Sequence, residues 1–355
     1  MILAFLLFHT FLAEVVNARE HDELQLLQRR NVDLIGMEPF QNPKATKSYV
    51  LIHIPKTAGS SLRGDGKAVV APAEFKLNFE SSWVRTVHAE DQVDMAMLRF
   101  PLDHVLSQFM ECKYDQAWKP SPLVPTHGVA GHGTYGGFEE WVDHFLKMQS
   151  TASLVSYPVC REVLQMGQHA ELKAECQRMQ KAAYDCYNPW NMQTRYLSEF
   201  WDHFALSSSL EPKLAPAVAH LKHTVTGVVE FYNETLCVLY FQRHGTVPSS
   251  CSCGGAGALP DRESRPVLHG LPHHALSELP TAVVKRLHGL IRQDAQLYAM
   301  GLHRLEEEAK KVREATEVEI FCEEPLAMLW DRVEQMLKEL DLTSWFHELR
   351  SGWSG

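Results

Sequence analysis

The sequence predicts an α/β fold of three layers, a central, mainly parallel sheet flanked by helices, with a helical C-terminal extension. Three observations carry this expectation. Near-continuous apolar and β-branched runs recur at residues 49–54, 94–98 and 224–229, which is how strands buried on both faces of a parallel sheet read. Each run is followed by a helical pattern rather than a hairpin turn, so strands and helices alternate. The composition, 45% hydrophobic and 22% charged, is that of a globular chain and excludes a mainly disordered or fibrous one.

At the N-terminus, residues 2–13 are apolar except for His9 and Thr10, and Val16, Asn17 and Ala18 supply small or apolar residues where a signal peptidase cuts. Residues 1–18 therefore read as a secretory signal peptide. The rival is a short signal anchor that would associate the N-terminus with a membrane, against which stand Glu14 and the short apolar run. Residues 19–47 are polar and read as a stem. The main domain is expected over 48–310 and a helical tail over 311–355.

Within the main domain, Pro55 ends the first strand. Pro101 suits the first turn of the helix that follows the second strand, with Val105, Leu106 and Phe109 on one face. Residues 119–137 are rich in Pro, Gly and His and read as a loop. Residues 138–148 then form an amphipathic pattern with Trp141, Phe145 and Met148 in one stripe. The third strand leads into a helix through Leu236, Leu239 and Tyr240. After a Gly/Pro/Cys/His-rich connection at 245–275, one long helix is expected from about Pro280 through Leu287, Ile291, Tyr298 and Leu305. Its charged run at 306–313 reads as a solvated face. Residues 326–340 form a closing amphipathic helix.

The chain carries 8 cysteines, and an even count behind a secretory start favours disulfides. Cys251 and Cys253, followed by His269, His273 and His274, offer a metal cluster as the alternative, but the C-x-C spacing is tighter than zinc sites use. Asn233-Glu234-Thr235 is an N-glycosylation acceptor. The net charge of −10 argues against a nucleic-acid partner, while leaving room for a local pocket of two or three cations.

Such a pocket is legible in Ile52-His53-Ile54-Pro55-Lys56-Thr57-Ala58-Gly59-Ser60-Ser61-Leu62. A buried strand breaks into a turn of small residues and opens a helix. The helix start offers unpaired N–H groups and the positive end of its dipole, which bind phosphate or sulfate. Lys56 adds a full charge, and Thr57, Ser60 and Ser61 add hydroxyl donors. Ala58 and Gly59 let the backbone approach an anion. The loop is P-loop-like in its physics but not a Walker A motif, since no glycine precedes Lys56 at the required places. This disfavours a P-loop kinase or nucleotidase. Arg99 follows the second strand, at the strand end where open α/β sheets bind ligands, and Ser107 lies two turns into the next helix. The two can hold one further anion.

Pro55-Lys56-Thr57-Ala58-Gly59-Ser60-Ser61 resembles the 5′-phosphosulfate loop of the Golgi carbohydrate sulfotransferases related to the heparan sulfate 2-O- and 6-O-sulfotransferases. Leu98-Arg99-Phe100-Pro101 through Ser107-Gln108-Phe109 resembles that family's 3′-phosphate motif. Asn191-Met192-Gln193-Thr194-Arg195-Tyr196-Leu197 is similar to its later acceptor-side helix. The likeness spans roughly residues 48–305. It implies the donor 3′-phosphoadenosine 5′-phosphosulfate, a glycan or polysaccharide acceptor, no metal, and residence in the Golgi lumen or membrane, or secretion. It also implies that Lys56 is catalytic and binds the donor with Thr57, Ala58, Gly59, Ser60, Ser61, Arg99 and Ser107. In the family a longer segment between the two motifs supplies the catalytic base. Here only residues 62–98 intervene, with His88 and Glu90 as the nearest bases and His88 as the choice. The short segment leaves a catalytically impaired nucleotide-binding protein of the same fold as the alternative.

Overall fold

In the computed structural model, residues 48–77, 80, 82–83, 86, 88–89, 91–114, 134–150, 187–198, 212–255 and 271–353 are described. The expected signal peptide and stem, Glu90 and most of the 119–137 loop lie outside them. Along the chain run β1 (Ser48–Ile52), α1 (Gly59–Val70), β2 (Phe75–Leu77), β3 (Gln92–Leu98), α2 (Pro101–Tyr114), α3 (Phe138–Ser150), α4 (Met192–Ser198), α5 (Leu214–Lys222), β4 (Val225–Val228), α6 (Tyr232–His244), α7 (Thr281–Leu287), α8 (Arg292–Thr316), α9 (Glu323–Glu339) and α10 (Thr343–Trp353).

The four strands form one parallel sheet in the order β2-β1-β3-β4. Tyr49 stands opposite both Phe75 and Val93, and Met95 opposite Val225. Alternate residues divide between two cores. Ile52, Ala96, Leu98 and Val228 enter one, and Tyr49, Leu51, Met95, Met97 and Val225 the other. Both faces of the sheet are dry, which is why the strands read as unbroken apolar runs rather than alternating ones. Leu62 and Val69 of α1 and Leu236 and Leu239 of α6 cover one face. Phe109 of α2, Trp141 of α3 and Leu302 of α8 belong to the core on the other, giving the three layers.

Strand β2 has no pattern of its own in the sequence, because a three-residue strand completes no full alternation. The single helix expected from Pro280 is interrupted. α7 ends in a 3₁₀ turn at His288–Leu290, and Ile291 leaves the helical region at φ −127° before α8 begins. The break exposes the first N–H groups of α8, and Asn191 Oδ1 accepts from Gln293 and Asp294 N–H at 2.9 and 3.2 Å. The boundary expected at residue 310 falls inside α8, which runs unbroken through it. Beyond it, Leu329, Val333, Met336 and Leu337 of α9 and Phe346 of α10 bury themselves in the same core as the sheet.

Disulfides join Cys237 to Cys251 and Cys253 to Cys322. The two cysteines of the C-x-C pair thus have separate partners, and neither keeps a thiolate for a metal. Such cross-links belong to an oxidising compartment and are compatible with a secreted or lumenal protein. Among the described residues no helix is long and apolar enough to cross a membrane, and no group of three or more His, Cys, Asp or Glu side chains is arranged to hold a metal ion.

Candidate functional site

Crossing from β2 to β3 carries the chain over β1, so the direction of strand succession reverses between β1 and β3. In open α/β sheets, the crevice beyond the strand ends at such a reversal is where ligands sit. The segments leaving these two strands hold Lys56 and Arg99.

After β1 the backbone turns through two non-glycine residues in the left-handed region, Lys56 at φ 62° and Ala58 at φ 64°. This conformation is disfavoured for residues with a Cβ, and alternating handedness of this kind curls successive N–H groups around a concavity suited to an anion. Thr57 is buried, and its hydroxyl donates to the Ile54 carbonyl at 2.9 Å, which pins the turn. The first helical bond of α1 runs from Leu62 N–H to the Ala58 carbonyl. The N–H groups of Gly59, Ser60 and Ser61 therefore precede the helical ladder. A Cβ at Gly59 would lie 2.1 Å from His53 Nε2, so glycine lets the His53 ring pack against the start of α1.

The Arg99 guanidinium donates to the Lys56 carbonyl at 3.2 Å, so the two cationic residues singled out in the sequence share one site. Gln193 grips the Arg99 backbone on both sides. Its Oε1 accepts from Arg99 N–H, and its Nε2 donates to the Arg99 carbonyl, each at 2.9 Å. The next peptide is fixed as well, because Phe100 N–H donates to Glu230, whose other oxygen accepts from the buried Tyr298 hydroxyl. Arg332 of α9 stacks on the Phe100 ring, 4.2 Å from its centroid, and donates to Asp103.

Helix α2 turns a polar and buried face to the Lys56 loop. His104, Ser107, Gln108 and Glu111 fall at i, i+3, i+4 and i+7, and all are buried. His104 Nε2–H donates to the Pro55 carbonyl at 2.8 Å, while its Nδ1 accepts from the Gln108 amide at 3.1 Å. Burial, with Arg99 and Lys56 adding to it, pushes His104 down to about 3, so it is a neutral strut at physiological pH. Glu111 receives Lys56 Nζ at 2.5 Å. Ser107 lies on the same face between these anchors. The spacing of these four polar residues is the sequence signal for this face, and of the four only Ser107 is among the expected anion-binding residues.

A second carboxyl completes the cluster. Burial, reinforced by Glu111, pushes Glu80 up to about 7 against the opposing pull of the Tyr187 hydroxyl and Lys56. Tyr187 donates to Glu80 Oε1 at 2.9 Å, while the enclosed Oε2 has no hydrogen-bond partner among the described residues. Nothing in the sequence around residue 80 marks this residue, since its environment comes from Tyr187 and α2. His88, the expected base, has both ring nitrogens engaged. Nδ1 bonds with Asp94 Oδ2 at 2.7 Å, and Nε2–H donates to the Trp83 carbonyl at 2.9 Å. Its ring stacks on Trp83, whose indole also stacks on His220. His274 stands on the cationic side. Burial lowers its pKa, and Arg99 and Lys56 lower it further.

The arrangement offers a left-handed turn with unladdered N–H groups, an arginine bonded to that turn's main chain, and an enclosed carboxyl able to take up a proton near neutral pH. Comparison with family models finds no match for the chain, and a search of curated proteins finds none either.

Proposed function

We propose that the protein is a sulfotransferase that moves a sulfuryl group from 3′-phosphoadenosine 5′-phosphosulfate to a carbohydrate hydroxyl in the secretory pathway. The observation that carries this reading is the meeting of the left-handed, lysine-bearing loop with Arg99 at the reversal point of the sheet. In this reading the fold is P-loop-like, and the Lys56–Ser61 loop takes the 5′-phosphosulfate through its N–H groups and hydroxyls. Arg99 and Ser107 take the 3′-phosphate, which separates this donor from ATP.

In this reading Glu80, rather than the expected His88, is the base, because its enclosed Oε2 has no hydrogen-bond partner among the described residues while both His88 nitrogens are engaged. Glu80 removes the proton of the acceptor hydroxyl as that oxygen bonds to sulfur. The bond from sulfur to the bridging phosphate oxygen breaks at the same time. Lys56 and the loop N–H groups stabilise the charge left on the departing phosphate. The acceptor carbohydrate is inferred from the family resemblance.

Transfer of labelled sulfate onto a glycan library tests the reading. Transfer by the wild type and its loss in Lys56→Ala are expected. Binding of 3′-phosphoadenosine 5′-phosphate without transfer to any acceptor would select the catalytically silent alternative, and absence of binding at millimolar nucleotide would overturn the donor assignment.

A further inference from the structure

Arg99 lies just past the end of β3, beyond the regular ladder, yet its backbone is fixed on both polar sides by one side chain. That side chain, Gln193, is fully buried and stands 94 residues away in sequence. Gln193 is held in turn. It occupies the first turn of α4, where its N–H donates to Asp294 Oδ2 at 3.2 Å, and Thr194 donates to Asp294 Oδ1 through both N–H and hydroxyl at 2.8 Å. Asp294 sits in the first turn of α8, whose own N–H groups are capped by Asn191 just before α4. The two helix starts thus cap each other, Asn191 serving α8 and Asp294 serving α4. Asn191 takes φ 47° to do so. The consequence is a rigid platform whose one long polar arm reaches the arginine.

We infer that Gln193 is a positioning residue for the 3′-phosphate, setting the direction of the Arg99 guanidinium by clamping its backbone from the α4–α8 platform. An amide is suited to this task. It is the side chain that presents one acceptor and one donor side by side, matching the N–H and C=O of a single residue. A carboxylate would face the carbonyl with a like partial charge, and an apolar residue would leave both backbone groups buried and unpaired. The clamp also explains why a residue from the helix assigned by resemblance to the acceptor side lies next to the cationic site. An arginine free to swing would still attract anions, but it would no longer select a nucleotide by the place of its second phosphate. The inference rests on the donor reading above.

The experiment compares dissociation constants for 3′-phosphoadenosine 5′-phosphate and 5′-AMP, which lacks the 3′-phosphate, in the wild type, Arg99→Ala, Gln193→Met and Gln193→Glu of the full chain. Gln193→Met keeps the volume and removes both bonds. The expected result is a preference for the bisphosphate that falls about tenfold in Gln193→Met, toward the value for Arg99→Ala, while 5′-AMP binding is unchanged. Gln193→Glu, which keeps the acceptor for Arg99 N–H, falls between, and it provides the comparison should the methionine variant not fold. An equal loss for both nucleotides, or an undiminished preference in the Gln193 variants with Arg99→Ala impaired, overturns the positioning role and leaves the donor reading intact. A wild type without preference for the bisphosphate, or an Arg99→Ala variant that keeps it, overturns the donor reading and this inference together.

Discussion

Arg99 donates to the main-chain carbonyl of Lys56, so the cation that ends β3 is fastened to the loop that ends β1. One hydrogen bond thereby links the two segments that the parallel sheet delivers to its reversal point.

Lys56 is also half of an enclosed ion pair, its side chain 12% exposed against 4% for Glu111. Removing one partner of such a pair deprives a buried charge of its counter-ion, which costs about 3 kcal/mol or more. Lys56→Ala is therefore expected to lower stability in denaturant titration as well as donor binding, and Lys56→Met with Glu111→Leu to recover much of the stability but none of the binding. Equal stability of Lys56→Ala and the wild type would contradict the pairing.

The proposed transfer takes its expected pH dependence from Glu80 as the proposed base. A base works when deprotonated, and Glu80 is pushed up to about 7 by burial. The rate is expected to rise with pH on a limb centred near 7, measured as kcat/KM for labelled sulfate transfer. Glu80→Gln should abolish that limb and the turnover together while the nucleotide still binds. A limb that persists in Glu80→Gln but disappears in His88→Asn would return the role to His88.

Stability carries two opposed pH contributions. Asp294 is raised to about 6 by burial, so the folded state holds its proton more tightly than the unfolded one. Its contribution is full below its unfolded value near 4 and is lost as pH rises through about 6. His104 is depressed to about 3, so its contribution is present above pH 6.5 and is lost as pH falls toward 3. Melting temperatures of Asp294→Asn and His104→Gln between pH 4 and 7 separate the two. Relative to wild type, the first variant should lose stability more steeply on acidification and the second less steeply.

The two disulfides close loops of different length, one spanning 14 residues and the other 69. Chain-entropy arguments give about 3 kcal/mol for the shorter and about 4 kcal/mol for the longer. Paired Cys→Ser replacements at Cys253 and Cys322 should thus lower stability more than those at Cys237 and Cys251. Calorimetry of the two variants measures the order directly.

Gly59 offers a local test of the loop. A methyl group there meets the His53 ring, so either that ring or the start of α1 must shift to admit it. Gly59→Ala is expected to weaken nucleotide binding about tenfold or more, because N–H groups aimed at an anion tolerate little displacement. Isothermal titration reads the change, and unchanged affinity would show that the helix start does not meet the ligand.

What the sequence determined by itself is local. Strands β1, β3 and β4 (though β1 ends at Ile52 and β4 at Val228, short of the apolar runs), the turn of small residues around Lys56 and the proline-started helix after Arg99 are legible because burial on both faces, turn chemistry and helix starts leave their marks within a dozen residues. The tertiary structure decided what depends on distant neighbours. The acidity of Glu80 arises from its enclosure beside Tyr187 and Glu111, 107 and 31 positions along the chain, and no window of sequence contains all three. The break before α8 and the grip of Gln193 on Arg99 likewise come from segments about 100 residues apart. Hydrophobic periodicity reports which face of an element is dry, but a hydrogen bond or a shifted proton affinity reports what stands opposite, and only folding supplies that partner.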